Sequence, residues 1–206
     1  MDILAFVGIM TFNIWVASAV PGPWSELLSI AALGFAGVSL WHHGMPRQRL
    51  GLRVDNLGWA VPIYMLSGLA YGGVVLLCLR DWVGVQHPGF RPQLLGTLAF
   101  VGWALLQEFC LLTFLLTRLY QVIGREVPAV LATAALFAFF HLPNPFLTAY
   151  TLGGGLLLAW LYLRWPNLLA AALGHAVASF LVSALLPSVI TAGKRVGPAY
   201  WAALAR

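Results

Sequence analysis

Apolar stretches, each close to the length needed to cross a bilayer, follow one another along almost the whole chain. A transmembrane helix needs about 20 predominantly apolar residues. On that ruler seven spans can be drawn, over residues 3–20, 24–41, 57–79, 94–120, 128–142, 146–163 and 168–186. Of the 206 residues, 61% are hydrophobic and 8% are charged, where soluble domains carry about 25% charged residues. No soluble core could bury that much apolar surface. The pattern predicts an all-α, polytopic membrane helix bundle of about seven transmembrane helices, with room for an eighth short helix in the tail after Pro187. Lipid bilayer is its first partner.

The separators between spans agree with this reading. Pro21-Gly22-Pro23 closes the first span, and residues 42–56, with Arg47, Arg49 and Arg53, form the most hydrophilic stretch, read as an interfacial loop or short surface helix. Its adjacent His42 and His43 point apart on any regular element, so the bland reading is a solvated loop rather than a metal site. Residues 80–93, with Asp81, His87, Pro88, Gly89 and Pro92, form a second loop. Trp24, Trp41, Trp59, Trp82, Trp165 and Trp201 fall near span ends, as an interfacial aromatic belt requires. Cys78 and Cys110 both lie in apolar segments and read as buried free thiols.

No repeat, linker or low-complexity segment divides the chain, so residues 1–206 are expected to form one integral-membrane domain. The net charge of +5 comes from scattered basic residues without interleaved aromatics. That fits anionic lipid headgroups and not nucleic acid. The first residues lack the basic start of a cleaved signal, so the first apolar stretch reads as a retained span. Basic loop residues are nearly balanced between the two sides, and the N-terminus is placed inside because the most basic short loop then lies inside. The Leu-, Ala- and Arg-rich usage suggests a bacterial inner membrane.

Three polar residues interrupt the apolar segments: Glu108 in the fourth, His141 at the end of the fifth and His175 in the seventh. Ionisable groups at membrane depth are costly and mark sites. His141 also precedes Leu142-Pro143-Asn144-Pro145, which must break a helix, and non-helical backbone at that depth belongs beside protein or a water-filled cavity. With 1.5 Å rise per residue, Glu108 lies about 18 Å from the face near Tyr120, His141 about 20 Å and His175 about 10 Å. The three are expected to share one layer, open to the face bearing Arg118 and Arg125. A carboxylate there can act as general base towards water, and neutral imidazoles can orient that water or donate to an oxyanion. One Glu and two His also make a zinc set, so if the protein is metal-dependent its ligands are Glu108, His141 and His175. A further reading is a scaffold in which His141 and His175 ligate a pigment or haem.

The residues Gln107-Glu108-Phe109-Cys110-Leu111-Leu112 resemble the first motif, Glu-Glu-x-x-x-Arg, of the CPBP family of intramembrane proteases, the CAAX-prenyl-endopeptidase-like or Abi proteins. Phe137-x-x-x-His141 resembles the second motif, and His175-x-x-x-Ser179 the last, His-x-x-x-Asn. The likeness covers about residues 94–186 and implies a protease-like core there. It implies a glutamate-dependent, metal-independent endopeptidase in which the first Glu and first His activate water and the last motif forms an oxyanion hole. This chain departs at three positions. Gln107 stands where the first Glu belongs, Leu112 where the Arg belongs, and Ser179 where the Asn belongs. The catalytic candidates are therefore Glu108, His141, His175, Ser179 and Gln107, acting on a membrane-bound peptide or protein. The alternative is an inactive member that serves as a binding or assembly subunit beside a partner subunit.

Overall fold

The computed structural model describes residues 1–84 and 94–205, with the backbone alone for 94–97. The expected loop around His87 therefore lies outside the described residues from position 85 onward. Among the described residues the elements are all helical: α1 (Asp2–Trp15), α2 (Trp24–His42), α3 (Leu57–Cys78), α4 (Leu94–Glu108), α5 (Thr117–Ile123), α6 (Glu126–Phe139), α7 (Pro145–Arg164), α8 (Leu168–Leu185), α9 (Ser188–Thr191) and α10 (Pro198–Leu204). Among the described residues six helices are long and apolar enough to span a membrane, and α6, at 14 residues, is a shorter apolar companion. The expected eighth helix is two short pieces, α9 and α10, joined by a tight turn.

The fourth span is continuous from α4 through α5, but its middle, Phe109–Leu116, is a π-helix. Such segments are rare, and they place an extra residue in each turn, often beside a functional site. Gly124, in left-handed conformation (φ 71°), ends α5. Asn144 and Asn167 cap α7 and α8 by accepting from the amides of Leu147 (3.0 Å) and Ala170 (2.9 Å). Pro145 follows the first cap at a position where its missing N–H costs nothing.

Helix α8 is the axis of the bundle, with α3 and α4 packed along it and α6 against α7. The α3–α8 contact is so close that a Cβ on Gly68 would lie 2.2 Å from the Gly174 carbonyl oxygen, and one on Gly174 would lie 2.6 Å from that of Tyr64. The expected small-residue packing at Gly153–Gly155 is also present, against Tyr71 of α3 and Ala134 of α6.

The two faces of the bundle are built differently. At one face, the loop after α2 is stitched to the α7–α8 turn. The Leu168 amide donates to the Gly51 carbonyl (3.0 Å), Asn167 Nδ2 donates to Asn56 Oδ1 (2.6 Å), and the Tyr64 hydroxyl donates to the Trp165 carbonyl (3.1 Å). The hydrophilic stretch is thus an ordered loop of turns, not a surface helix. The same face carries a half-buried ionic knot. Asp2 Oδ2 accepts from Arg118 Nε (2.9 Å) and Ser39 Oγ (2.5 Å) and lies 3.3 Å from His43 Nε2. His43 is therefore part of a clasp, although it is exposed like its neighbour His42. Both cysteines are free, and Cys78 is exposed on the outside of α3 instead of buried, because it lies on the outward side of a lipid-facing helix end.

At the opposite face the tail closes over the α6–α7 break. Asn144 Nδ2 donates to the carbonyls of Thr191 and Arg195 (3.0 Å each), and the Gly197 amide donates to the Leu142 carbonyl (2.9 Å). Gly197 also packs on α1, where a Cβ would meet the Ile14 carbonyl oxygen at 2.6 Å.

Candidate active site

Glu108 is the last residue before the π-helix and is fully buried. Its Oε1 lies 2.5 Å from His175 Nδ1, across the α4–α8 interface. A carboxylate oxygen accepts, so the imidazole donates from Nδ1, and its Nε2 is left as the nitrogen with a free lone pair. Glu108 Oε2 is buried without a hydrogen-bond partner among the described residues. The 3.6-residue turn explains the pairing: Glu108 and Ala104 lie on one stripe of α4, and Ala104 packs on Ala172 and Ala176 of α8 around His175.

His141 sits in the break after α6, its Nδ1 2.7 Å from the Phe137 carbonyl oxygen. That carbonyl can only accept, so Nδ1 again carries the hydrogen and Nε2 the lone pair. The Phe137 ring lies between the two imidazoles, 4.8 Å from His141 and 6.2 Å from His175, centroid to centroid. It fixes both rings against one wall.

A cavity of about 510 Å³ opens beside this wall. Gln107, His141, His175 and Ser179 line it, together with Tyr150 and Thr151 of α7. Glu108 does not; it stands behind His175. The 100° between consecutive helical residues divides the pair: the amide of Gln107 faces the cavity and the carboxylate faces α8. Leu112, where the Arg of the first motif would stand, is fully buried in the apolar core.

Two expectations change here. The cavity opens at the tail face, where Ser18, Ser25, Lys194 and Arg195 form its rim, and not at the face of Arg118 and Arg125. The reason is the clasp and the stitched loops, which close the Arg118 face. Also, Glu108, His141 and His175 do not gather into a group of three among the described residues; Glu108 Oε1 pairs with His175 alone.

Several cavity residues escaped the sequence reading. Asn13 of α1 is 5% exposed and lines the cavity beside Ser29 of α2. An asparagine amid apolar residues was the available signal. Lys194 also lines it, with its ammonium 4.9 Å from the Phe100 ring centroid. Burial pulls this ammonium below the ordinary lysine value.

Residues 90–181 match the family described as Type II CAAX prenyl endopeptidase Rce1-like. The chain carries a divergent Rce1-like domain of the CPBP family. The matched stretch runs from the start of α4 into α8 and so contains Gln107, Glu108, His141, His175 and Ser179. No curated protein and no solved structure matches the chain. The Rce1-like domain and the apolar helices together make this a CAAX-protease-like integral membrane protein.

Proposed function

We propose that this Rce1-like protein is an intramembrane endopeptidase whose water is activated by a His175–Glu108 dyad. The supporting observation is the 2.5 Å pair, which commits Nδ1 of a cavity-lining imidazole to a buried carboxylate. In this reading Glu108 is a positioning residue: it holds the tautomer and orientation of His175 and stabilises the imidazolium that forms. His175 Nε2 takes a proton from water as the water oxygen bonds to the scissile carbonyl carbon. His141 Nε2 accepts the second water hydrogen and sets the angle of attack. The amide of Gln107 and the hydroxyl of Ser179 donate to the oxyanion. His175 then returns its proton to the leaving amine as the C–N bond breaks. No metal takes part. The substrate is a membrane-bound peptide or protein that enters from the tail face, and the setting is a bacterial inner membrane.

A second reading has one observation in its favour: on the cavity wall α4 presents, beside apolar side chains, the amide of Gln107, which cannot act as a base. In that reading the protein keeps the fold as a membrane binding or assembly subunit.

Cleavage of a quenched-peptide library by the purified protein in detergent separates the two. The dyad requires cleavage by wild type that survives a zinc chelator and disappears in Glu108→Ala and His141→Ala. Silence in wild type with cleavage gained in Gln107→Glu would replace the dyad with the inactive reading.

A further inference from the structure

The rim of the cavity at the tail face holds polar groups that the hydrolytic reading leaves unused. Asn13 Nδ2 lies 2.9 Å from Ser29 Oγ, and Ser29 Oγ lies 2.8 Å from the Ser25 carbonyl oxygen. The Ser29 hydrogen is committed to that carbonyl, so the Asn13 amide must donate to Ser29 from Nδ2. Its Oδ1 is thereby fixed as a buried acceptor, and it has no partner among the described residues. Across the same rim, Lys194 lies inside the cavity wall with no carboxylate paired to it among the described residues.

The backbone is built to hold that lysine in place. Ala192 (φ 47°), Gly193 (φ 60°) and Lys194 (φ 57°) are all left-handed, a strained conformation for the two non-glycine residues. Asn144 clamps both flanks of the turn through Thr191 and Arg195, and Gly197 rests on Ile14, the neighbour of Asn13. A cation and an unsatisfied acceptor therefore share one rim, and below them the wall is apolar: Phe6, Met10, Leu33, Phe100 and Leu115.

We propose that this rim binds a membrane phospholipid with a hydrogen-bond-donating headgroup, its phosphate on Lys194, its donor on Asn13 Oδ1 and an acyl chain along the apolar wall. The phosphate supplies the missing counter-charge, and an ethanolamine ammonium or a glycerol hydroxyl supplies the missing donor. A choline headgroup has no hydrogen to give. A peptide fits the upper half as well, and the peptide of the hydrolytic reading would reach Gln107, His141, His175 and Ser179 through the same cavity. Against Phe6, Met10, Leu33, Phe100 and Leu115, however, its backbone amides would find no partner, where each unsatisfied group costs several kcal/mol; an acyl chain brings none. This inference goes beyond the peptidase reading and does not depend on it.

The test is native mass spectrometry of the purified full chain, made as Glu108→Gln so that no cleavage intervenes, titrated with phosphatidylethanolamine, phosphatidylglycerol and phosphatidylcholine of identical chains. The expected result is retention of the ethanolamine or glycerol lipid at least about tenfold tighter than the choline lipid, the ratio of one lost hydrogen bond. Comparing the first two lipids identifies which donor is used. Lys194→Ala and Asn13→Leu should each lose about tenfold, and Lys194→Arg should keep most of the affinity. Equal binding of the three lipids, or binding indifferent to Lys194→Ala, overturns the proposal. So does displacement of bound lipid by a peptide with a free C-terminal carboxylate but not by its amide, which would assign the rim to a peptide. Lys194 is partly exposed, so its variants fold even if Asn13→Leu does not. A chain that cleaves no peptide can still rank the lipids, and one that cleaves can fail to, so the two readings fall separately.

Discussion

At the Arg118 face Asp2 accepts from Arg118 and Ser39 and sits within 3.3 Å of His43, while at the tail face Lys194 has no carboxylate and Asn13 Oδ1 has no donor among the described residues. Both ends bury charge or polar atoms at the border of an apolar bundle. The first end satisfies them internally and is thereby sealed. The second leaves them open and surrounds a cavity. Burial of an unpaired polar group costs about 1–3 kcal/mol, a cost resolved inside the chain at the first end and relieved by the proposed lipid at the second. Polarity alone does not separate structure from site in a membrane bundle; the state of the hydrogen-bond accounts does.

The sharpest break of this contrast lies midway between the ends, at Glu108. Glu108→Gln keeps volume and removes the charge that holds His175, and peptide cleavage should fall by about 10²–10⁴-fold in an initial-rate assay. Stability should move far less, because the amide can still meet Nδ1. Arg118→Ala, at the sealed end, should do the reverse. It strips a partner from half-buried Asp2 and should cost about 1–2 kcal/mol, read as a lower melting temperature in detergent, with kcat per folded molecule nearly unchanged. Equal effects of the two variants on both readouts would dissolve the distinction.

Much of this was legible from residue types, and the reasons are physical. The spans follow from length and apolar content, which the bilayer dictates, and α1 to α8 fall where the apolar runs lie. Glu108, His141 and His175 stood out because charge in hydrocarbon is expensive, and the structure brings Glu108 and His175 into contact. What the residues did not reveal is pairing across helices. Nothing local says that Asp2 will find Arg118, and with that clasp unknown the open face was placed at the wrong end. Asn13 and Lys194 were hidden for a related reason: a polar residue near a span end is ordinarily solvated, and only the fold of the tail over Ile14 encloses these two.

Smaller effects sharpen the comparison further. Asn167→Ala removes the cap of α8 and the bond to Asn56, both at the sealed face, and should cost about 1 kcal/mol in thermal unfolding with no change in lipid or peptide binding. Lys194→Ala should leave the melting temperature within about 0.5 kcal/mol of wild type. A large loss there would mean that Lys194 is a structural prop, and the tail face would no longer differ from its opposite.

The π-helix at Phe109–Leu116 lies between Glu108 and Arg118, which makes it the phase-setting element of the whole fourth span. Upstream, the turn of the helix decides which side chain meets His175; downstream, it decides which meets Asp2. Removing a single residue from this stretch would change the length and the twist between its two halves by what one residue of the wider π turn contributes. Only one of the two partnerships could then survive. The composition of these eight residues is free to drift among apolar types, but their number is not, so insertions and deletions, more than substitutions, are the changes this part of the chain should resist.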